Sequence, residues 1–125
     1  MVALGLMSAS AQAGVNGIYQ TQSNEDGAYL HVEIATCEDN NEFTCGTIRA
    51  AYNGEGEANE DYEHLGKLMI WKMQDIGSGI FKSGQIWAPD TDKTYNSEMK
   101  LDGDTLTVKG CILFICRGQD WTRVK

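Results

Sequence analysis

Residues 84–124 read GQIWAPDTDKTYNSEMKLDGDTLTVKGCILFICRGQDWTRV, and this stretch decides the fold. Within it, segment 94–101 alternates between a polar face and a mainly apolar face, which is the two-residue period of a half-buried strand. The triplet Asp102-Gly103-Asp104 then provides a turn, because glycine adopts a positive φ without strain. The alternation resumes over 105–109, so the stretch predicts consecutive antiparallel strands joined by a hairpin.

Strand-like segments also occupy most of the remaining chain. They cover residues 17–21, 28–36, 43–52, 67–76, 80–88 and 117–125, and turn-forming residues separate them. Segment 28–36 has the clearest two-residue period, with Leu30, Val32 and Ile34 on one face. Because the sequence has no helical pattern of sufficient length and no internal repeat, it predicts an all-β fold, either a sandwich or a barrel.

The first thirteen residues resemble the end of a secretory signal peptide. They contain no charged side chain, include a short apolar run and end in Ala11-Gln12-Ala13. A basic region is missing, so we predict that residues 1–13 are a partial leader or follow a misplaced start; a disordered or helical extension is the alternative. Residues 14–125 are then predicted to form a single domain, exported to the periplasm or the cell exterior.

The four cysteines indicate disulfide bonds in an exported chain. The short separations favour local bridges, Cys37 with Cys45 and Cys111 with Cys116. On the chain-entropy estimate each bridge contributes about 2–2.5 kcal/mol. A zinc site is the alternative, although neither spacing is the two-residue knuckle that zinc sites usually use.

The net charge of −8 and the pI near 4.6 restrict the partners. Nucleic acid is excluded as a partner because its phosphates would be repelled, whereas a cationic protein remains a candidate. No apolar run is long enough to span a bilayer, so no transmembrane anchor is predicted. Loop 53–64 carries five carboxylates in the sequence NGEGEANEDYEH, and it lacks the ligand spacing of a calcium-binding EF-hand.

No group of residues specifies a reaction. His31 lies on the polar face of its strand beside Glu33, without a nucleophile near it in sequence. Asp90, Asp92 and Glu98 are close in sequence, but nothing indicates that they are buried. We therefore predict that the protein is not an enzyme and uses no cofactor or metal.

Several short motifs follow one another in a characteristic order along almost the whole predicted domain. Together they resemble a family of secreted bacterial proteins known as domain of unknown function 2147. The sequence departs from the family pattern at two positions: Tyr19 stands where the family usually has tryptophan, and Asp92 stands where it often has glycine. The motifs are Gly17-x-Tyr19, Val32-Glu33-Ile34 with Cys37, Cys45-Gly46-x-Ile48, Leu65-Gly66, Gly84-x-Ile86 with Pro89, Lys93-Thr94-Tyr95, Leu106-x-Val108-x-Gly110 and Trp121-Thr122-Arg123-Val124.

The resemblance implies a single up-and-down antiparallel β-barrel of lipocalin (calycin) type, with about eight strands, in the periplasm or outside the cell. It also implies a contact that closes one end of the barrel, between the Tyr19 ring and Arg123, with Arg117 as the less favoured partner. The activity of the family is unassigned, so the resemblance implies no reaction.

A barrel of eight strands is either filled by its own side chains or holds one small ligand. Segment 67–76 is apolar on both faces, so periodicity does not determine which face points inward. We predict a cavity for a small apolar or amphipathic molecule, such as a fatty acid or another lipid fragment, with core packing as the alternative role for each candidate residue. The candidate lining residues are Met69 or Met73, Trp71, Trp87 and Tyr95.

Four large apolar residues, Ile112, Leu113, Phe114 and Ile115, lie between the second pair of cysteines. Turns are normally polar, so these residues are predicted either to cover the barrel mouth as a lid or to contact a membrane or partner protein. The alternative function is an acidic interaction module, an inhibitor or adaptor that docks on a cationic envelope or host protein through its charge and loop 53–64.

Overall fold

In the computed structural model, which describes residues 14–125, eight strands account for most of the chain. The predicted leader, residues 1–13, lies outside the described residues. The strands are β1 (Gly17–Gln20), β2 (Tyr29–Thr36), β3 (Thr44–Tyr52), β4 (Leu68–Asp75), β5 (Ile80–Ala88), β6 (Lys93–Asp102), β7 (Thr105–Ile112) and β8 (Ile115–Arg123).

Each strand pairs in antiparallel fashion with the next, and β8 pairs with β1 to close the barrel. The prediction of an all-β, up-and-down barrel is confirmed. Across the described residues, no helix has the length and apolar character that a membrane crossing requires. The β1–β8 seam is short, because β1 pairs with β8 at Tyr19–Arg123 and Gln20–Thr122 and then ends.

The largest buried side chains are concentrated towards one end of the barrel, which we call the base. Turns 37–43, 76–79 and 103–104 lie at the base, as do Val15 and the end of β8. The other end, which we call the mouth, carries loops 21–28, 53–67, 89–92 and 113–114. The fully buried residues include Trp121, Tyr19, Ile34, Ile48, Ile70, Met73, Leu106 and Val32, with Phe81 and Met99 almost as enclosed.

Arg123 closes the base over Tyr19. The guanidinium carbon lies 5.1 Å from the centre of the Tyr19 ring, and the Tyr19 hydroxyl donates a 2.7 Å hydrogen bond to the Val15 carbonyl. The two terminal nitrogens of Arg123 donate to the carbonyls of Asn16 and Gly14, at 2.8 and 3.0 Å. The contact implied by the resemblance is therefore made by Arg123, whereas Arg117 lies towards the mouth.

Strands β4 and β5 depart from simple alternation. Lys72 and Ser83 have φ values of 59° and 67°, and the β5–β6 register shifts between Phe81 and Gly84. A β-carbon on Gly84 would lie 2.7 Å from the Trp71 carbonyl oxygen, so only glycine fits there. These irregularities reverse the inward face part-way along β4, which explains why both faces of segment 67–76 are apolar.

Both disulfides join local partners, as predicted. Cys37–Cys45 links the β2–β3 hairpin at the base, and Cys111–Cys116 links residues directly opposite each other on β7 and β8. The strands run further than the sequence patterns indicated, because β7 extends to Ile112 and β8 begins at Ile115. The apolar segment 112–115, which we call the tip, is therefore a tight hairpin end that turns at Leu113 and Phe114.

Candidate functional site

The mouth contains a cavity of about 940 Å³. Its wall is mostly apolar, because the inward residues of β5 to β8 are apolar above the filled base. The residues that line it are Gln22, Met69, Ile86, Ala88, Pro89, Asp90, Thr91, Tyr95, Val108, Gly110, Ile112, Leu113, Phe114, Ile115, Arg117, Gly118, Gln119 and Trp121.

Gly110 provides part of the space in this cavity. It lies on the inward face of β7, two residues after Val108, where a longer side chain would project into the cavity. A β-carbon at this position would lie 3.6 Å from both Ile86 and Tyr95, which is ordinary van der Waals contact. The cavity is therefore wider at this point because glycine has no side chain. A larger residue would fit here, but its side chain would reduce the cavity volume.

Two charged residues line the larger cavity, Arg117 on β8 and Asp90 in the β5–β6 loop. Arg117 lies opposite Gly110 in the β7–β8 register, so no side chain on the neighbouring strand separates it from the apolar wall. Within residues 14–125 the guanidinium of Arg117 makes no ion pair and no hydrogen bond. The cavity thus combines an apolar wall with one unpaired cation.

A second cavity, of about 600 Å³, adjoins the first and shares Gln22, Met69 and Asp90 with it. Its lining includes Tyr29, Tyr52 and Tyr62 together with several amides from loops 21–28 and 53–64. Burial raises the pKa of the Tyr62 hydroxyl, and the nearby carboxylates of Glu63 and Asp90 raise it further. The mouth therefore has a mainly apolar chamber and a more polar one.

His31 belongs to an aromatic cluster on the outer wall. Its ring centre lies 4.6 Å from that of Tyr52, which stacks on Tyr29 at 5.0 Å, and its Nε2 atom is 3.2 Å from Gln20 Oε1. Burial lowers the pKa of His31, and the positive charge of Lys125 lowers it further. The sequence suggested a solvated histidine beside Glu33, but Glu33 pairs instead with Arg49 at 2.8 Å.

The structure brings two of the predicted lining residues to the larger cavity, Met69 and Tyr95. Met73 is fully buried in the core. Trp71 and Trp87 line neither of these two cavities: Trp71 is paired with Gln85 and Trp87 follows Ile86, which places both on the outward phase.

The two outward tryptophans have polar partners. The Trp71 indole donates to Gln85 Oε1 at 3.2 Å, and the Trp87 indole donates to Asp92 Oδ1 at 2.8 Å. The His64 and Trp87 rings are nearly perpendicular, with 4.9 Å between ring centres. Trp87 therefore packs against the core cluster and against His64 of the acidic loop.

Sequence reasoning missed several residues at the cavity. Ile86 and Val108 were recognisable as apolar strand residues, but their height in the barrel depends on the pairing of distant strands. Arg117 was considered for barrel closure and not for the mouth, because its position follows from the extension of β8 to Ile115. Gln22 enters from a loop whose path has no periodic signal.

The tip lines the cavity and is also exposed to solvent. Leu113 and Phe114 are 87% and 97% exposed, and Ile112 and Ile115 are also exposed. The Cys111–Cys116 bridge supports the hairpin immediately below them. An apolar surface therefore continues from the interior of the barrel onto its rim.

Potential metal ligands are arranged unfavourably in the described part of the chain. One group, Glu98 with Cys111 and Cys116, has its atoms within 4.8 Å of one another, but the two sulfurs form a disulfide and are not thiolate donors. In loop 53–64, Asn53 and Asn59 accept backbone N–H bonds that hold the loop without an ion. Of the three carboxylates considered for catalysis, Asp90 lines the larger cavity.

Comparisons with known proteins agree with this architecture. A family model described as "Uncharacterized protein conserved in bacteria (DUF2147)" matches residues 17–123. The chain belongs to this family. No curated protein matches the DUF2147 chain.

Among solved structures, the DUF2147 chain is similar to protein HP1028 from the human pathogen Helicobacter pylori, which is described as belonging to the lipocalin family. The TM-score is 0.68 at 15% sequence identity, and the match covers 88% of this chain and 82% of the other. At this identity the similarity establishes a lipocalin-like fold and not a shared ligand.

Proposed function

We propose that this protein binds one small apolar or amphipathic molecule in the larger cavity at the barrel mouth. The observation that supports the proposal is a cavity of about 940 Å³ with a predominantly apolar lining. That volume lies in the range of small-molecule sites, which are concave and mainly apolar with a few polar groups. The polar groups here, including Gln22, Thr91 and Gln119, would orient the ligand.

The location we propose for this activity is outside the cytoplasm, in the periplasm or the surroundings of the cell. Both disulfides persist in oxidising compartments, and residues 1–13 have the features of a leader. Binding rather than catalysis is proposed, since the cavity lining is mainly apolar with few polar groups, as in small-molecule binding sites.

A fluorescence titration tests the binding proposal. Purified oxidised protein is titrated with N-phenyl-1-naphthylamine, an uncharged apolar probe, and the bound probe is then displaced with unlabelled twelve-carbon chains. We expect saturable binding to one site and competitive displacement. Native mass spectrometry of protein expressed in the periplasm provides a second measurement. Absence of saturable binding together with absence of a retained molecule would refute the proposal.

A second candidate is contact with a cationic protein, and the exposure of the tip favours it. Leu113 and Phe114 are almost wholly solvent-exposed, whereas large apolar side chains of monomers are usually covered. The carboxylates of loop 53–64 lie at the same end of the barrel, so a basic partner would meet both surfaces. Salt-sensitive co-purification that is lost in Leu113→Ser/Phe114→Ser would support this role.

A further inference from the structure

From the charge inside the cavity, we infer that the ligand is a single-chain amphiphile with an anionic head group, and that Arg117 binds this head. The inference rests on the proposed function, because it specifies the chemical class of molecule for the same cavity. Arg117 is the cation among the residues that line the cavity, and it makes no ion pair or hydrogen bond within residues 14–125.

The position of Arg117 suits a head group at the end of an apolar chain. The residue is on β8 opposite Gly110, between the buried Trp121 below and the exposed Ile115 above. A chain lying along Val108 and Ile86 would therefore bring its head to the height of Arg117. Guanidinium groups bind carboxylates and phosphates with paired hydrogen bonds, and such charge-assisted bonds are stronger than neutral ones.

Because the rest of the mouth is negatively charged, Arg117 determines whether an anion can bind in the cavity. The chain has a net charge of −8, and Asp90 lines the same cavity, so a diffuse field alone would favour cations. An anion enters against that field only if a local partner compensates, and Arg117 is that partner. The inference therefore predicts opposite effects for two variants: removal of Arg117 weakens anion binding, and removal of Asp90 strengthens it.

The test compares four twelve-carbon probes by displacement of N-phenyl-1-naphthylamine: dodecanoate, dodecyl phosphate, dodecanol and dodecyltrimethylammonium. Of the two anions, dodecanoate and dodecyl phosphate, we expect the tighter-binding one to bind the unaltered protein at least about ten times more tightly than dodecanol does. In Arg117→Gln its affinity should fall to that of dodecanol, and Arg117→Lys should restore part of the difference. Asp90→Asn should strengthen anion binding severalfold relative to that of dodecanol.

Arg49→Gln is the matched control, since Arg49 pairs with Glu33 on the outer wall. Equal affinities for the anions and dodecanol, tighter binding of the ammonium probe, or unchanged anion affinity in Arg117→Gln would each overturn the inference while leaving apolar binding intact. Failure of all four probes to displace N-phenyl-1-naphthylamine would overturn the inference, and failure of that dye itself to bind would refute the proposed function as well. The preference between dodecanoate and dodecyl phosphate identifies the head group.

Discussion

Arg123 ties together three parts of the base. Besides its contact with the Tyr19 ring and the carbonyls of Asn16 and Gly14, its Nε atom lies 3.2 Å from Asp104 in the β6–β7 turn. We expect Arg123→Ala to lower the free energy of unfolding by about 2–3 kcal/mol, because charged hydrogen bonds to partly buried groups are lost. Arg123→Lys keeps the charge without the planar fork and should recover less than half.

Chemical denaturation at constant m-value measures these changes. Arg49→Ala provides the control, since its exposed pair with Glu33 should contribute at most about 1 kcal/mol. If Arg123→Ala cost no more than Arg49→Ala, the base would not depend on this residue.

Gly110 gives a direct test of the cavity. We expect Gly110→Leu to lower the affinity for a dodecyl probe by about tenfold, because the new side chain displaces roughly two methylenes of ligand contact. Stability should not fall, since a β-carbon here makes ordinary contacts with Ile86 and Tyr95. Gly118→Ala is the control: the Gly118 backbone lines the cavity, but its β-carbon would lie on the outer face, towards Lys109 and Thr107. Unchanged affinity in Gly110→Leu would place the ligand elsewhere.

His31 should make stability depend on pH. Its folded-state pKa is lowered by burial and by Lys125, so the unfolded chain binds more protons between that value and the ordinary pKa of about 6.5. The contribution of the neutral ring is therefore complete above pH 6.5 and is lost as the pH falls. Denaturation curves between pH 7.5 and 5 should show a smaller loss for His31→Gln than for the unaltered protein.

An equal loss of stability on acidification in the unaltered protein and in His31→Gln would mean that His31 is not responsible.

The residue roles show where sequence patterns were sufficient. Tyr19 and Arg123 were identified through motif order, and Met69 and Tyr95 through size and phase. The sequence did not indicate that Trp71 and Trp87 lie away from both cavities, because a large aromatic residue on an apolar face has no signal of direction. Local turns in the backbone, such as the positive φ of Lys72, decide that direction, and they depend on contacts between strands.

At the scale of elements, the two predictions for the tip, a lid over the mouth or a contact for a membrane or partner protein, require different positions of its side chains. A lid would bury Leu113 and Phe114 against the mouth, whereas the β7–β8 hairpin holds them at the rim with 87% and 97% exposure. Strand pairing and the Cys111–Cys116 bridge below them account for this position. Neither the full strand length nor the tight turn was readable from the apolar run CILFIC.

We expect the double variant Leu113→Ser/Phe114→Ser to melt within about 3 °C of the unaltered protein, because little buried surface is lost. Its affinity for dodecyl probes should fall a few-fold, since both side chains line the cavity. Ile76→Ser, an exposed apolar residue at the base, is the control for surface polarity. A fall of more than about 5 °C in the double variant would mean that the tip covers the mouth in solution.

At the scale of the whole molecule, closure depends on a short seam. Beyond the pairs Tyr19–Arg123 and Gln20–Thr122, backbone bonds of 2.7–3.4 Å join Ile18 to Val124 and Lys125 at the base, and a 3.4 Å bond runs from the Asp120 N–H to Gln22 Oε1. By contrast, β7 pairs with β8 along its length. The wall of the barrel is therefore weakest along the β1–β8 seam.

Native-state hydrogen exchange should detect the lower stability of the β1–β8 seam. We expect seam amides, such as that of Val124 bonded to the Ile18 carbonyl, to exchange by local opening at a lower free energy than those of the Met99–Val108 pair. Measurement at increasing sub-denaturing urea separates local from global opening. Equal opening free energies at the two places would show that the seam is as stable as the rest of the barrel.

Fold class, strand order and disulfide pairing were predictable because alternation, turn residues and cysteine spacing are local properties. The position of the cavity was not, since it depends on which end the large side chains fill. Tyr19, Phe81 and Trp121 come from three strands that are distant in sequence, and they join one core cluster only after closure. The same closure leaves the space above them for the cavity.

The filled base has a kinetic consequence. A molecule that reaches the interior must leave along its inward path in reverse, because Tyr19, Trp121 and Arg123 obstruct the opposite side. Uptake and release of the proposed ligand would therefore both occur at the mouth, and they would change together. Any surface that covers this rim, whether a bilayer or another protein, would halt both and trap the cargo already inside.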